Sequence, residues 1–227
     1  MIKLYFLRHG QTLFNLQEKV QGHNDSPLTQ KGIDEARFAG YGARDIRFSA
    51  AYSGDTQRQI DTAEAFLSLN EKPCPITADP HFREMGYGKY EGGTYLQMLS
   101  PLYEELGIPY AAYPGLYEYY DDLQIAEKLA ALDETGSFEG IAKVRKRFLE
   151  GIERIASDHQ EGDILISTSS FAICALVSFL FPEISVKGLV DNGSLTILSY
   201  ENGNYELLSF NDISYRRKGE EYFSKRP

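Results

Sequence analysis

Tryptophan is absent from this chain of 227 residues, and cysteine occurs only twice. Two cysteines do not build a disulfide scaffold. Cys74 stands between two prolines and Cys174 inside an apolar run, and neither has a neighbouring histidine or a CxxC partner. Thiol catalysis and cysteine-bound metal are therefore set aside, and both residues read as reduced thiols. Long hydrophobic runs are missing too. The longest, Phe171 to Val177, falls far short of the roughly 18 apolar residues that suggest a membrane span. The first residues, Met-Ile-Lys-Leu-Tyr-Phe-Leu-Arg-His-Gly, hold no extended apolar core or small-residue cleavage site, so a cytoplasmic location is expected. Positive charge is in short supply, with 23 Lys and Arg against 33 Asp and Glu and a formal net charge of −10. Such a chain repels nucleic acid and anionic lipid, and neither is expected as a partner. The cluster Arg216-Arg217-Lys218 is offset by Glu220 and Glu221.

What is present suits a globular protein. Hydrophobic residues make up 42% and charged residues 25%, and the length fits one large domain over 1–227 with a sizeable core. Ile2 to Leu7 reads as a central strand. A helix is expected from Thr29 to about Arg44, with Ile33, Ala36, Ala39 and Ala43 on one face. A short strand at 50–53 leads into a helix at about 55–69. The clearest amphipathic helix spans Ser137 to about His159, with Phe138, Ile141, Val144, Phe148, Ile152 and Ile155 at helical spacing. Ile164-Leu165-Ile166 signals a buried strand, followed by an apolar helix to about Phe181. Residues 194–200 and 205–210 pair across Asn202-Gly203-Asn204 as a hairpin.

Strands alternating with helices predict an α/β fold, a three-layer sandwich with a largely parallel central sheet and helices on both faces. Residues 94–136 depart from that alternation. They carry helical signals near 96–106 and 123–132 around a Pro/Gly/Tyr-rich loop, and they read as a helical insert. Nine of the 16 tyrosines lie between Tyr87 and Tyr120. These rings either pack the insert onto the core or line a pocket, and the sequence leaves both readings open.

Sites in open α/β sheets gather at the carboxyl ends of the strands. Three such ends carry unusual residues: Arg8-His9-Gly10-Gln11-Thr12, then Ser53-Gly54 with Arg58 in the next helix, and Ser167-Thr168-Ser169-Ser170. Arg83-Glu84 lies between them in a glycine-rich stretch. Two arginines offer forked donors to a tetrahedral dianion, and Gly10 lets backbone approach it. Positive charge beside His9 keeps its imidazole neutral below the usual value of about 6.5. A neutral imidazole can attack phosphorus, and Glu84 can protonate the departing alcohol. Ser170 reads as a helix N-cap.

These motifs, taken in order, resemble the histidine phosphatase superfamily in its phosphoglycerate-mutase-like branch. The matching pieces are Leu7-Arg8-His9-Gly10-Gln11-Thr12 with Asn15, Gln21-Gly22 through Leu28-Thr29 to Gly32, then Ser53, Arg58 and Thr62-Ala63. Arg83-Glu84-Met85, Gly88, Glu91-Gly92 and Asn192-Gly193-Ser194-Leu195-Thr196 complete the set. The resemblance implies a phosphomonoester hydrolase for a small phosphorylated metabolite, working through a phosphohistidine on His9. Arg8 and Arg58 would bind phosphate, Glu84 would be the general acid, and Asn15, Gln21 and Gly22 would border the mouth. It implies no metal or other cofactor, and it makes the insert a lid that selects substrate.

One position departs from the family's pattern. A second histidine is expected in a Ser-His-Gly sequence after the late strand, where this chain has Ser167-Thr168-Ser169. Thr168 would then contact phosphate with a hydroxyl and no charge, with Ser169 beside it, and turnover would be weakened. A non-catalytic binder of phosphorylated ligands is the alternative reading, with Glu84 arguing against it. A phosphoglycerate mutase is the third, disfavoured because its early motif carries tryptophans and this chain has none.

Overall fold

Alternate residues of the first strand face opposite ways, and both sets are apolar. Ile2, Leu4 and Phe6 are buried in one hydrophobic cluster, Tyr5 and Leu7 in another. A strand buried on both faces requires cover on both. The computed structural model describes residues 1–184 and 186–225. It contains strands β1 (Ile2–Arg8), β2 (Phe48–Ser53), β3 (Ile76–Ala78), β4 (Gly162–Thr168), β5 (Leu195–Glu201) and β6 (Asn204–Asp212). They form one sheet in the order β3-β2-β4-β1-β5-β6. The first four are mutually parallel, β5 pairs antiparallel with β1, and β6 pairs antiparallel with β5. The fold is α/β with a mostly parallel sheet, as the alternation predicts.

Eight α-helices are described: α1 (Leu13–Leu16), α2 (Gln30–Gly42), α3 (Gln57–Leu67), α4 (Tyr95–Leu106), α5 (Asp122–Ala131), α6 (Ile141–Asp158), α7 (Ser170–Leu180) and α8 (Ser214–Ser224). Ala39 of α2 and Phe66 of α3 cover the Tyr5–Leu7 face, while α4 to α7 supply Met98, Ile125, Phe148 and Ile173 to the Leu4–Phe6 face. No described helix is long and apolar enough to cross a membrane. Between 94 and 136 the chain forms α4, a 3-10 turn at Pro114–Leu116 and α5, without a strand. Several of its tyrosines pack ring against ring, Tyr95 edge-on to Tyr113 with centroids 5.8 Å apart and Tyr103 tilted against Tyr110 at 5.1 Å.

Two boundaries differ from expectation. The helix expected from Ser137 begins at Ile141, because the Asp133 carboxylate accepts from Phe138 N at 2.6 Å and turns the preceding segment. Phe138 instead bridges to Tyr87. A second difference is α8, a mostly polar helix for which the sequence reading holds no expectation. It docks on α2 through stacked rings, Tyr222 on Tyr41 at 4.0 Å and Phe223 on Phe38 at 5.5 Å. The hairpin turn has positive φ at Asn202 (51°) and Gly203 (83°), the pairing a type I′ turn requires.

Candidate active site

Arg8 ends β1 level with Thr168, the last residue of β4. From there every backbone group of Arg8 and His9 is engaged. His9 N donates to Thr168 O at 3.0 Å, and Arg8 N donates to Ser194 O at 3.2 Å. Gly193 N donates to Arg8 O at 3.1 Å, and Asn192 Nδ2 to His9 O at 2.7 Å. A dipeptide pinned on both sides by the sheet presents its side chains from a rigid base. The next residue touches α2: a Cβ on Gly10 would sit 2.1 Å from the carbonyl oxygen of Gly32.

The His9 ring is buried, and its Nδ1 lies 2.9 Å from Gly10 O. A carbonyl only accepts, so Nδ1 carries the hydrogen and the neutral ring keeps its lone pair on Nε2. Burial first, then the charges of Arg58 and Arg8, hold its pKa well below the ordinary value. Arg8 donates through one terminal nitrogen to Val190 O, and its buried Nε has no partner in the described chain. Arg58 is fully buried. It donates to Asn24 O at 2.7 Å, Gly22 O at 2.7 Å and Asp25 Oδ1 at 3.1 Å, again with an unpartnered Nε.

Glu84 is held at the amino terminus of α7. Its Oε1 accepts from Met85 N at 2.8 Å and Ala172 N at 2.9 Å, its Oε2 from Phe171 N at 3.0 Å. Burial pushes its pKa up, against the pull of those N–H groups and of Arg58 and Arg147. Oε2, with a single donor, retains an open lone pair where a proton can reside.

A small cavity of about 30 Å³, room for a water or so, brings Arg8, His9 and Glu84 together. Arg8, His9, Asn15, Gln21, Glu84 and Ser170 line it, and Tyr87, Tyr95 and Leu189 close its less polar side. Tyr95 thus belongs to the pocket-lining reading of the tyrosines even as it packs on Tyr113. Asn15 is set by a capping box with Thr12, and Gln21 by Thr12 Oγ1 at 2.8 Å.

Other predicted site residues sit elsewhere. Arg58 is not among the residues lining the cavity and spends its terminal nitrogens on the 22–25 loop. Gly22 gives its carbonyl to Arg58 and its N–H to Glu91 at 3.1 Å. Thr168 is enclosed, and its hydroxyl donates to Phe82 O at 2.7 Å rather than facing the cavity. Ser169 accepts from Gln59 Nε2 at 2.9 Å and is the N-cap position of α7. The sheet register explains this. With Thr168 level with Arg8, the chain passes the cavity one to two residues later, at Ser170, which had read as the cap. None of His23, His81 and His159 lines the cavity; His81 Nδ1 bonds Asp79 Oδ1 at 2.7 Å, and His159 Nε2 lies 3.0 Å from Tyr52 OH.

Of two supporting residues, Arg147 left no signal in the sequence and Glu91 entered only as part of the matched motif set, without a role. Arg147 of α6 donates to the carbonyls of His81 (2.9 Å), Arg83 (2.7 Å) and Glu84 (2.9 Å), and to the Glu139 carboxylate at 2.8 and 3.0 Å. Glu91 collects the N–H groups of Gly22, His23, Asn24 and Tyr87 at 2.9–3.1 Å.

The sequence pattern of the histidine phosphatase superfamily (branch 1) matches residues 4–213. The chain belongs to the histidine phosphatase superfamily. Among curated members, the protein called "Probable phosphoglycerate mutase GpmB" of Erwinia tasmaniensis is 35% identical over 91 residues, 40% of this chain and 41% of that protein. The match thus spans about two fifths of that relative. A phosphoglycerate mutase structure from Bacillus anthracis str. Sterne superposes with a TM-score of 0.88 at 29% identity, covering 96% of both chains. Bacillus stearothermophilus YhfR gives a TM-score of 0.74 at 25% identity, covering 95% of this chain and all of that one. In this superfamily member, the five residues Arg8, His9, Asn15, Gln21 and Glu84 converge on one cavity at the carboxyl end of the parallel strands.

Proposed function

We propose that the protein hydrolyses a small phosphomonoester through a phosphohistidine on His9. The observation that carries this reading is the His9 ring itself, neutral, with Nδ1 tied to Gly10 O and Nε2 left with its lone pair in a cavity shared by Arg8 and Glu84. Nε2 attacks phosphorus, a P–N bond forms and the P–O ester bond breaks. The departing alkoxide takes a proton from Glu84, whose burial favours the acid form. The Glu84 carboxylate then removes a proton from water, which attacks the phosphohistidine, and phosphate leaves as Nε2 regains its lone pair. The guanidiniums of Arg8 and Arg58 supply positive charge to the transferring group throughout.

The site works without a second imidazole, since no other histidine lines the cavity. Losing one preorganised donor typically costs on the order of 10²–10³ in rate, so turnover is expected to be modest. That same observation supports a second reading, a non-catalytic binder of phosphorylated ligands. Steady-state hydrolysis of p-nitrophenyl phosphate, with His9→Ala as control, separates the two. Turnover that vanishes in the variant supports the hydrolase, and full activity in the variant ends the mechanism. A folded protein without turnover that is stabilised by vanadate supports the binder.

A further inference from the structure

One buried acid takes no part in the mechanism above. Glu35 stands on α2 and is only 7% exposed. Its Oε2 accepts from Gln11 N at 3.0 Å. Its Oε1 faces Lys31 Nζ at 3.8 Å, an exposed cation that contributes little. Burial raises its pKa, while the Gln11 N–H and the charges of Arg216, Lys31 and Arg8 oppose the rise. Burying a carboxyl group is costly, and this one is directed at the loop that carries the nucleophile.

The bond it makes is one peptide away from the reacting ring. Gln11 N and Gly10 O belong to the same peptide unit, and Gly10 O is the group 2.9 Å from His9 Nδ1. That unit is planar and trans, so its N–H and C=O point in opposite directions and turn together. A group that fixes the N–H therefore fixes the carbonyl. A charge-assisted bond at the N–H also polarises the carbonyl, which strengthens its hold on Nδ1–H. The flanking peptides are anchored by other groups. Asn192 Nδ2 donates to His9 O at 2.7 Å, Gly10 N donates to Thr62 Oγ1 at 3.1 Å, and Gln11 O accepts from Thr29 N at 2.8 Å. None of these bonds ends on the peptide unit that holds Nδ1.

We infer that Glu35 is a positioning residue for His9, fixing through the Gly10–Gln11 peptide both the tautomer of the ring and the direction of Nε2. This rests on the hydrolase reading for its effect on rate, whereas its effect on the ring does not depend on turnover. Nε2 keeps its lone pair only while the neutral ring carries its hydrogen on Nδ1. Once Gly10 O turns away, that hydrogen can move to Nε2, and a ring protonated there has no lone pair with which to attack phosphorus.

Glu35→Met keeps the length of the side chain and removes the acceptor. In protein labelled with 15N at histidine and held at pH 8, the His9 signals are those that His9→Ala loses. The unsubstituted protein should show a protonated Nδ1 and an unprotonated Nε2, and Glu35→Met should add signals of the Nε2–H form. Its kcat/KM for p-nitrophenyl phosphate should fall about tenfold or more at a temperature where both proteins are folded, with inhibition by inorganic phosphate kept within about threefold. Glu35→Gln returns a neutral acceptor to the Gln11 N–H and should recover most of the rate and the original tautomer. Where Glu35→Met does not fold, Glu35→Asp, which draws the acceptor back by one methylene, takes its place with the same expectations. Ring signals identical to those of the unsubstituted protein overturn the inference, even with a lost rate, since Glu35 then only supports α2. An unchanged kcat/KM overturns it too, and both results leave the hydrolase intact. Where even the unsubstituted protein turns nothing over, the hydrolase reading fails and the ring signals alone decide.

Discussion

Replacing Arg147 by methionine removes the fork that holds the carbonyls of His81, Arg83 and Glu84, yet keeps an unbranched chain beside Phe148. Arg147 and its partner Glu139 are only 16% and 13% exposed, so the loss resembles breaking a buried pair. Such breaks cost about 3–5 kcal/mol, and partial exposure lowers the expectation to about 2–4 kcal/mol at pH 7. The pH dependence identifies the cause. Burial alone would raise the Glu139 pKa, but His23 and Arg147 hold it down at about 2. A folded-state pKa below the unfolded value of 4.5 gives stabilisation that is complete above that value and lost as pH falls toward 2. In Arg147→Met, Glu139 keeps His23 and Gly86 N but loses the Arg147 share of that support, so the gap between the two proteins shrinks on acidification. Urea denaturation at pH 7, 5 and 3.5 measures it. Turnover of p-nitrophenyl phosphate should fall about tenfold through misplacement of Glu84, with vanadate affinity kept within about twofold. A stability gap below about 1 kcal/mol, or one independent of pH, would refute this assignment.

Other expectations are simpler to state. Because the His9 pKa lies well below 6.5, the acidic limb of kcat/KM should have its midpoint below that value, and a limb at 6.5 or above would contradict the buried neutral imidazole. Gly10→Ala drives a Cβ to 2.1 Å from Gly32 O, backbone against backbone, so α2 and the His9 loop must part. A cost of about 1–3 kcal/mol or more and the loss of vanadate binding should follow, visible in thermal melts with and without the anion. Thr168→His should overpack an enclosed position bonded to Phe82 O, destabilising by about 1–3 kcal/mol without restoring rate. A rise in kcat would show that the imidazole finds the cavity after all.

The elements that the sequence announced are those whose apolar residues repeat at one period. Ile2–Leu7, the Ile164 run and the Phe148 helix needed no further information. β3 is three residues long and α8 is mostly polar, so burial left them little pattern to read. At the site, Arg8, His9 and Glu84 were legible because their chemistry resides in their side chains, the first two at a strand end and the third in a glycine-rich loop. Arg147 was not, and Glu91 was legible only as a motif match without a role, since their partners are mostly backbone carbonyls and N–H groups that every residue carries. Thr168 and Ser169 were misplaced for a geometric reason: which residue turns toward a cavity depends on the register of two strands, and a motif match carries no register.

The amino terminus of α7 normally offers its N–H groups to an incoming anion. Here it is already spent on Glu84, brought from 87 residues away in the chain. Apart from Ser170, its first residue, which lines the cavity, the helix reaches the site through Glu84, by deciding how tightly a carboxyl group keeps its proton. Each N–H withdrawn from that first turn makes Glu84 a weaker acid, and each one tightened makes it a stronger one. The pH at which such a site works is then set less by the residues in its cavity than by how firmly the first turn of one helix is wound.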